Sequence, residues 1–74
     1  MPELPLISGD ECIVALGRVG YYVARARGSH VRLRCPARKP VTVPRHPELD
    51  RGTLRAIIRT AGLTVEEFIA LLRK

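Results

Sequence analysis

One histidine, His30, sits inside a run of arginines. Arg25, Arg27, Arg32 and Arg34 lie within five residues of it, and Gly28 and Ser29 immediately precede it. Imidazole is the side chain that most readily gives or takes a proton near neutral pH. Guanidinium groups bind phosphate oxygens with paired hydrogen bonds. A cluster of arginines disfavours one more positive charge, so the imidazole is expected in its neutral form, that of a general base. The chemistry open to this spacing is proton transfer at a bound phosphodiester. The base would take the proton of a ribose 2′-hydroxyl, and the arginines would stabilise the charge that builds on the phosphoryl oxygens. DNA lacks that hydroxyl, so such a site selects RNA, and the chemistry needs no metal. The plainer alternative is a set of solvated arginines around a surface histidine. A second histidine, His46, lies in a proline-flanked stretch and is a further candidate acid or base that the sequence does not place.

The elements that must hold these residues follow from patterning. Val31, Leu33 and Cys35 alternate with Arg32 and Arg34, the period of a strand with one apolar face. Tyr21 to Arg27 is rich in strand formers, and Gly28-Ser29 reads as a two-residue hairpin turn with glycine first. That turn sets Arg27 opposite His30, Arg25 opposite Arg32, and Val23 opposite Arg34. All five basic and histidine side chains then share one face, and Val31, Leu33 and Cys35 take the other. The pattern leaves open which of Tyr21 and Tyr22 faces the core. Pro36 to Pro40 reads as a second turn, and Val41 to Val43 as a short third strand stopped by Pro44.

Helices flank this meander. Ser8 and Glu11 form a capping box ahead of a helix over about 9 to 18, with Gly20 as its stop. Asp50 caps a second helix with the face Leu54, Ile57, Ile58 and Ala61, which Gly62 ends. Thr64 and Glu67 form another capping box before the stripe Val65, Phe68, Ile69 and Leu72. The order is helix, three strands, helix, helix. It predicts an α+β fold, a three-stranded antiparallel sheet with the helices on one face.

With 74 residues, the chain is expected to be a single domain over 1–74. Hydrophobic residues make up 46% and charged residues 27%, a globular rather than disordered balance, and so short a chain excludes a multi-domain enzyme and a large buried cofactor site. The net charge is +6, which favours an anionic partner. The charge is concentrated: Cys12 to Pro47 holds eight bases and no acid. The opening residues have acids and a proline where a signal peptide carries a basic stretch and an apolar core. No run approaches the ~20 apolar residues of a membrane helix. The expectation is a cytoplasmic protein with no membrane partner and with Cys12 and Cys35 as free core thiols. The spacing of Cys12, His30, Cys35 and His46 fits no close-paired zinc pattern, so neither a metal nor a small-molecule cofactor is expected.

The residues also resemble a known family. Gly20-Tyr21 is followed by Arg27-Gly28-Ser29-His30, Val31-Arg32-Leu33, and Val41-Thr42-Val43-Pro44 with His46. Then come Arg51-Gly52-Thr53-Leu54-Arg55 with Ile58, and Ala61-Gly62-Leu63 before an acid-started helix. In this order, over about residues 4 to 72, they resemble the HicA-type toxins of type II toxin–antitoxin systems. The resemblance implies a double-stranded-RNA-binding-domain-like fold, α-β-β-β-α with a short extra C-terminal helix. It also implies an mRNA-cleaving endoribonuclease that arrests translation, and a HicB-type antitoxin that covers the site. On this resemblance His30 is the catalytic residue, Gly28 the turn glycine, and Ser29 the residue that presents the histidine. The family pattern does not assign Arg25, Arg27, Arg32 and Arg34; their role as RNA-binding groups rests on the charge argument.

Other readings are weaker. A binding-only RNA module shares the basic face. Residues 51 to 73 have helix-turn-helix spacing, but the second helix opens with Glu66 and Glu67 and offers no Arg, Asn or Gln before Arg73, poor chemistry for a DNA groove. Gly17 to Gly20 matches the GxxG of KH domains formally, yet a strand rather than a helix follows.

Overall fold

A computed structural model describes residues 3–74. The chain runs α1 (Gly9–Gly17), β1 (Tyr22–Arg27), β2 (His30–Cys35), β3 (Arg38–Pro44), α2 (Arg51–Thr60) and α3 (Val65–Leu72). The three strands form one antiparallel sheet in the order β1-β2-β3. This is the expected α+β order with its third helix.

The helix ends are set locally. Ser8 and Glu11 exchange side-chain to backbone hydrogen bonds at 3.0 and 2.9 Å, and Thr64 and Glu67 do the same at 3.0 and 2.8 Å. Asp50 accepts from the Thr53 amide at 2.8 Å and from its hydroxyl at 2.9 Å. α1 closes in a Schellman motif: the Tyr21 amide donates to the Leu16 carbonyl and the Gly20 amide to the Gly17 carbonyl. Gly20 takes φ +107° to do so, a region open to glycine at little cost. Leu63 and Gly62 repeat this pattern on Ile58 and Arg59 at the end of α2.

The core lies between the sheet and the helices. β2 buries Val31, Leu33 and Cys35, and β3 buries Val41 and Val43. Against them pack Cys12 and Leu16 of α1, Leu54, Ile57 and Ile58 of α2, and Phe68 and Leu71 of α3. Tyr21 is the buried member of the tyrosine pair, 5% exposed, and its hydroxyl donates to the Lys39 carbonyl at 2.7 Å. Tyr22 is 55% exposed. Cys12 and Cys35 are free and buried, and burial pushes the Cys12 thiol up to about 12.

Two strand expectations need correction. β3 begins at Arg38 rather than Val41. Lys39-Pro40 is therefore strand, not turn. It falls where β3 has one residue too many against β2, between the pairs Leu33↔Val41 and Cys35↔Arg38; a bulge tolerates proline's missing donor. The second correction is the register of β1. Arg27↔His30 and Arg25↔Arg32 pair as expected, but Val23 lies opposite Leu33, and Tyr22 lies opposite Arg34. Ala24 is the extra residue of a bulge that turns the rest of β1 over by one position.

β1 is also less covered than the other strands. All six of its residues are exposed, whereas α1 and α2 pack on β3 at the other edge of the sheet. No helix among the described residues is long and apolar enough to cross a membrane.

Candidate nucleic-acid interface

The turn between β1 and β2 is built by Gly28. Its φ is +57°, and no non-glycine residue among those described has positive φ. One positive φ at the first central position is the II′ geometry, whose twist suits a hairpin. Nothing lies within 4 Å of where a Cβ on Gly28 would be, so the backbone alone asks for glycine there. Ser29 completes the turn, and its carbonyl accepts the Arg45 amide at 2.6 Å. His30 follows as the first residue of β2, exposed, with Arg27 on one side and Pro44 on the other.

Alternation then sorts the faces. Since Val31, Leu33 and Cys35 are buried, His30, Arg32 and Arg34 point away from the helices. Arg25 and Arg27 join them by direct pairing with Arg32 and His30, and the bulge adds Tyr22 beside Arg34. On β3, Thr42 is paired with Arg32 and its hydroxyl accepts from the Arg32 guanidinium at 3.0 Å. The sheet thus brings together His30, Arg25, Arg27, Arg32 and Arg34, with Gly28 and Ser29 at the edge. No carboxylate occurs between Cys12 and Pro47 to neutralise this face. Such an array offers an accessible proton-transfer group beside several phosphate-binding groups, with an aromatic ring at the far end.

Not every base of the middle third belongs to it. Arg18 donates to the Leu71 carbonyl at the end of α3. Arg38 donates to the Ala61 carbonyl at the end of α2 at 2.8 Å. Both meet carbonyls at the last turn of a helix, the negative end of its dipole. Arg45 pairs with Asp10, Nε to Oδ1 at 2.8 Å and Nη2 to Oδ2 at 3.4 Å. These three are engaged within the fold, which leaves the hairpin arginines and Lys39 for a ligand.

The loop after β3 is the part that sequence reasoning does not place. It is clamped on two sides. The Arg45 amide is bonded to the hairpin turn, and the His46 carbonyl accepts the Gly9 amide at 2.9 Å from the start of α1. A Cβ on Gly9 would overlap the Pro44 carbonyl, so only glycine allows this approach. The Asp50 carboxyl is held below its ordinary value, first by the Thr53 amide, then by the Thr53 hydroxyl, with smaller help from the Gly52 amide and the charge of nearby His46. Tyr22 and Thr42 are further members of the face that the sequence does not announce. A single-residue bulge at Ala24 moves Tyr22 onto it, and alanine gives no sequence signal for a bulge.

Comparison with known proteins comes to the same region. The profile of the family described as HicA toxin of bacterial toxin-antitoxin matches residues 9–63. No curated protein matches the chain. Among solved structures, a chain from a toxin–antitoxin complex of Streptococcus pneumoniae is similar with a TM-score of 0.68 and 31% identity, over 77% of this chain and 98% of that one.

Proposed function

The chain belongs to the HicA toxin family of bacterial toxin–antitoxin systems, and from that premise we propose that it is an endoribonuclease that cleaves mRNA without a metal and so arrests translation. His30 is the general base or acid of this reading. The arginines at 25, 27, 32 and 34 hold the phosphodiester backbone, and the Gly28-Ser29 turn presents the histidine. The site works on the cytoplasmic mRNA pool, and a HicB-type antitoxin silences it by covering the same face.

One observation supports the reading above the rest. His30 is exposed on a sheet face where Arg25, Arg27, Arg32 and Arg34 converge with no carboxylate among them. Like charges set directly opposite one another, as Arg25 and Arg32 are, cost a small sheet stability. A polyanion removes that cost. The imidazole beside it supplies proton transfer, and the guanidinium groups supply charge stabilisation as the 2′-oxygen attacks phosphorus. The similarity to a chain of a toxin–antitoxin complex supports the antitoxin as partner.

The test is cleavage of a long single-stranded RNA in EDTA by the purified chain and by His30→Ala, both checked for folding by circular dichroism. Cleavage by wild type alone is the expected result. Equal cleavage by both removes His30 from the mechanism. RNA binding without cleavage by either makes the protein a binding module.

A further inference from the structure

We propose that His46 is the second proton-transfer group of the site, the general acid opposite His30. This rests on the ribonuclease reading given above.

Cleavage through a 2′-hydroxyl needs two proton transfers. One group takes the hydroxyl proton, and another gives a proton to the departing 5′-oxygen, an alkoxide too basic to leave unaided. At neutral pH ordinary carboxyls have lost their protons and guanidinium groups do not release theirs. Imidazole does both, and the chain has two histidines. Other groups near the turn are occupied. Asp10 is paired with Arg45, and Asp50 caps α2. The Tyr21 phenol is buried and bonded to Lys39, and both cysteines are buried.

The backbone brings the two histidines to one place. His30 is paired with Pro44, and the Ser29 carbonyl holds the Arg45 amide. His46 therefore lies two residues beyond the partner of His30, just past the end of β3. Arg45 sends its side chain to Asp10 on α1. His46 is exposed, and its carbonyl is fixed by Gly9. By alternation from Pro44, with Arg45 turned to α1, position 46 falls on the same face as position 30, across the hydrogen bond that joins the turn to the end of β3.

In the step, the 2′-oxygen bonds to phosphorus as His30 takes its proton. The bond from phosphorus to the 5′-oxygen breaks, and that oxygen takes a proton from the His46 imidazolium. The products are a 2′,3′-cyclic phosphate and a 5′-hydroxyl end, with the proton balance restored through water.

The test uses the full chain, His46→Ala and His46→Gln, on two oligoribonucleotides of one sequence. One is natural, and the other carries sulfur in place of the 5′-oxygen at the cleaved linkage. A thiolate leaves without protonation. The expected result is a loss of about a hundredfold or more on the natural RNA for both variants, and recovery to within about tenfold of wild type on the sulfur substrate. His30→Ala should fail on both. Wild-type rates in the variants, or an equal loss on both substrates with RNA affinity retained, would overturn the assignment of His46 while leaving the ribonuclease reading intact. If wild type cleaves neither substrate, that reading falls and this one with it.

Discussion

Gly9 and Pro44 meet backbone to backbone. A Cβ on Gly9 would overlap the Pro44 carbonyl and lie 2.8 Å from the Arg45 Cα. The first residue of α1 therefore fixes the course of the chain from Pro44 to His46. Gly9→Ala is expected to lower stability by about 1–3 kcal/mol, the usual cost of forcing an atom into a packed region, read from urea denaturation. RNA cleavage measured where the variant is still folded should fall as well.

The arginines divide into two groups with different signatures. Removing Arg25, Arg27, Arg32 or Arg34 should weaken RNA binding and make it less salt-dependent. The slope of log K against log salt should flatten by about 0.7 for each phosphate no longer neutralised. Arg18→Ala and Arg38→Ala should instead lower the melting temperature, because they uncap α3 and α2, and leave the salt slope unchanged. Filter binding at four salt concentrations with a thermal melt separates the two.

Cys12 should be chemically silent in the folded chain. With its pKa pushed from 9.0 to about 12 by burial, its thiolate fraction at pH 8 falls about a thousandfold, and the thiolate is the reactive form. In a Cys35→Ser background, reaction with a thiol reagent should be slower than in urea by at least that factor. A fast native reaction would place Cys12 outside the core.

Asp50 links stability to acid. Its folded pKa is depressed, so its stabilising effect is complete above the ordinary aspartate value of 3.8 and is lost as pH falls through the lower folded value. Asp50→Ala should therefore melt below wild type at pH 7. The gap should close on acidification below about pH 4.

Much of this arrangement is local and legible in the sequence. The caps at Ser8, Asp50 and Thr64 and the stops at Gly20 and Gly62 depend on neighbours within a few residues. So does the pairing of Arg27 with His30, fixed by a two-residue turn. The alternation of β2 marks its buried face. Register farther from the turn is not legible, because Ala24 carries no sign of a bulge and the pairing beyond it depends on the rest of the sheet. Lys39-Pro40 reads as turn chemistry until the bulge that accommodates it is seen. The structural role of Arg18 depends on Leu71, 53 residues away, and that of Arg38 on Ala61, 23 residues away. No local pattern distinguishes them from the bases that face solvent.

The strand order β1-β2-β3 repeats the chain order, so each pairing closes only a short turn, whereas seating α1 on α3 joins residues more than fifty apart. Hairpins form in about 1–10 μs, and closing the longer loop costs more entropy. The folding barrier should therefore be crossed with the meander built and the terminal helices still loose. Truncating Leu71 should then mainly speed unfolding, while strain at Gly28 should mainly slow folding. On that order the cationic hairpin should take shape before the core beneath it is sealed.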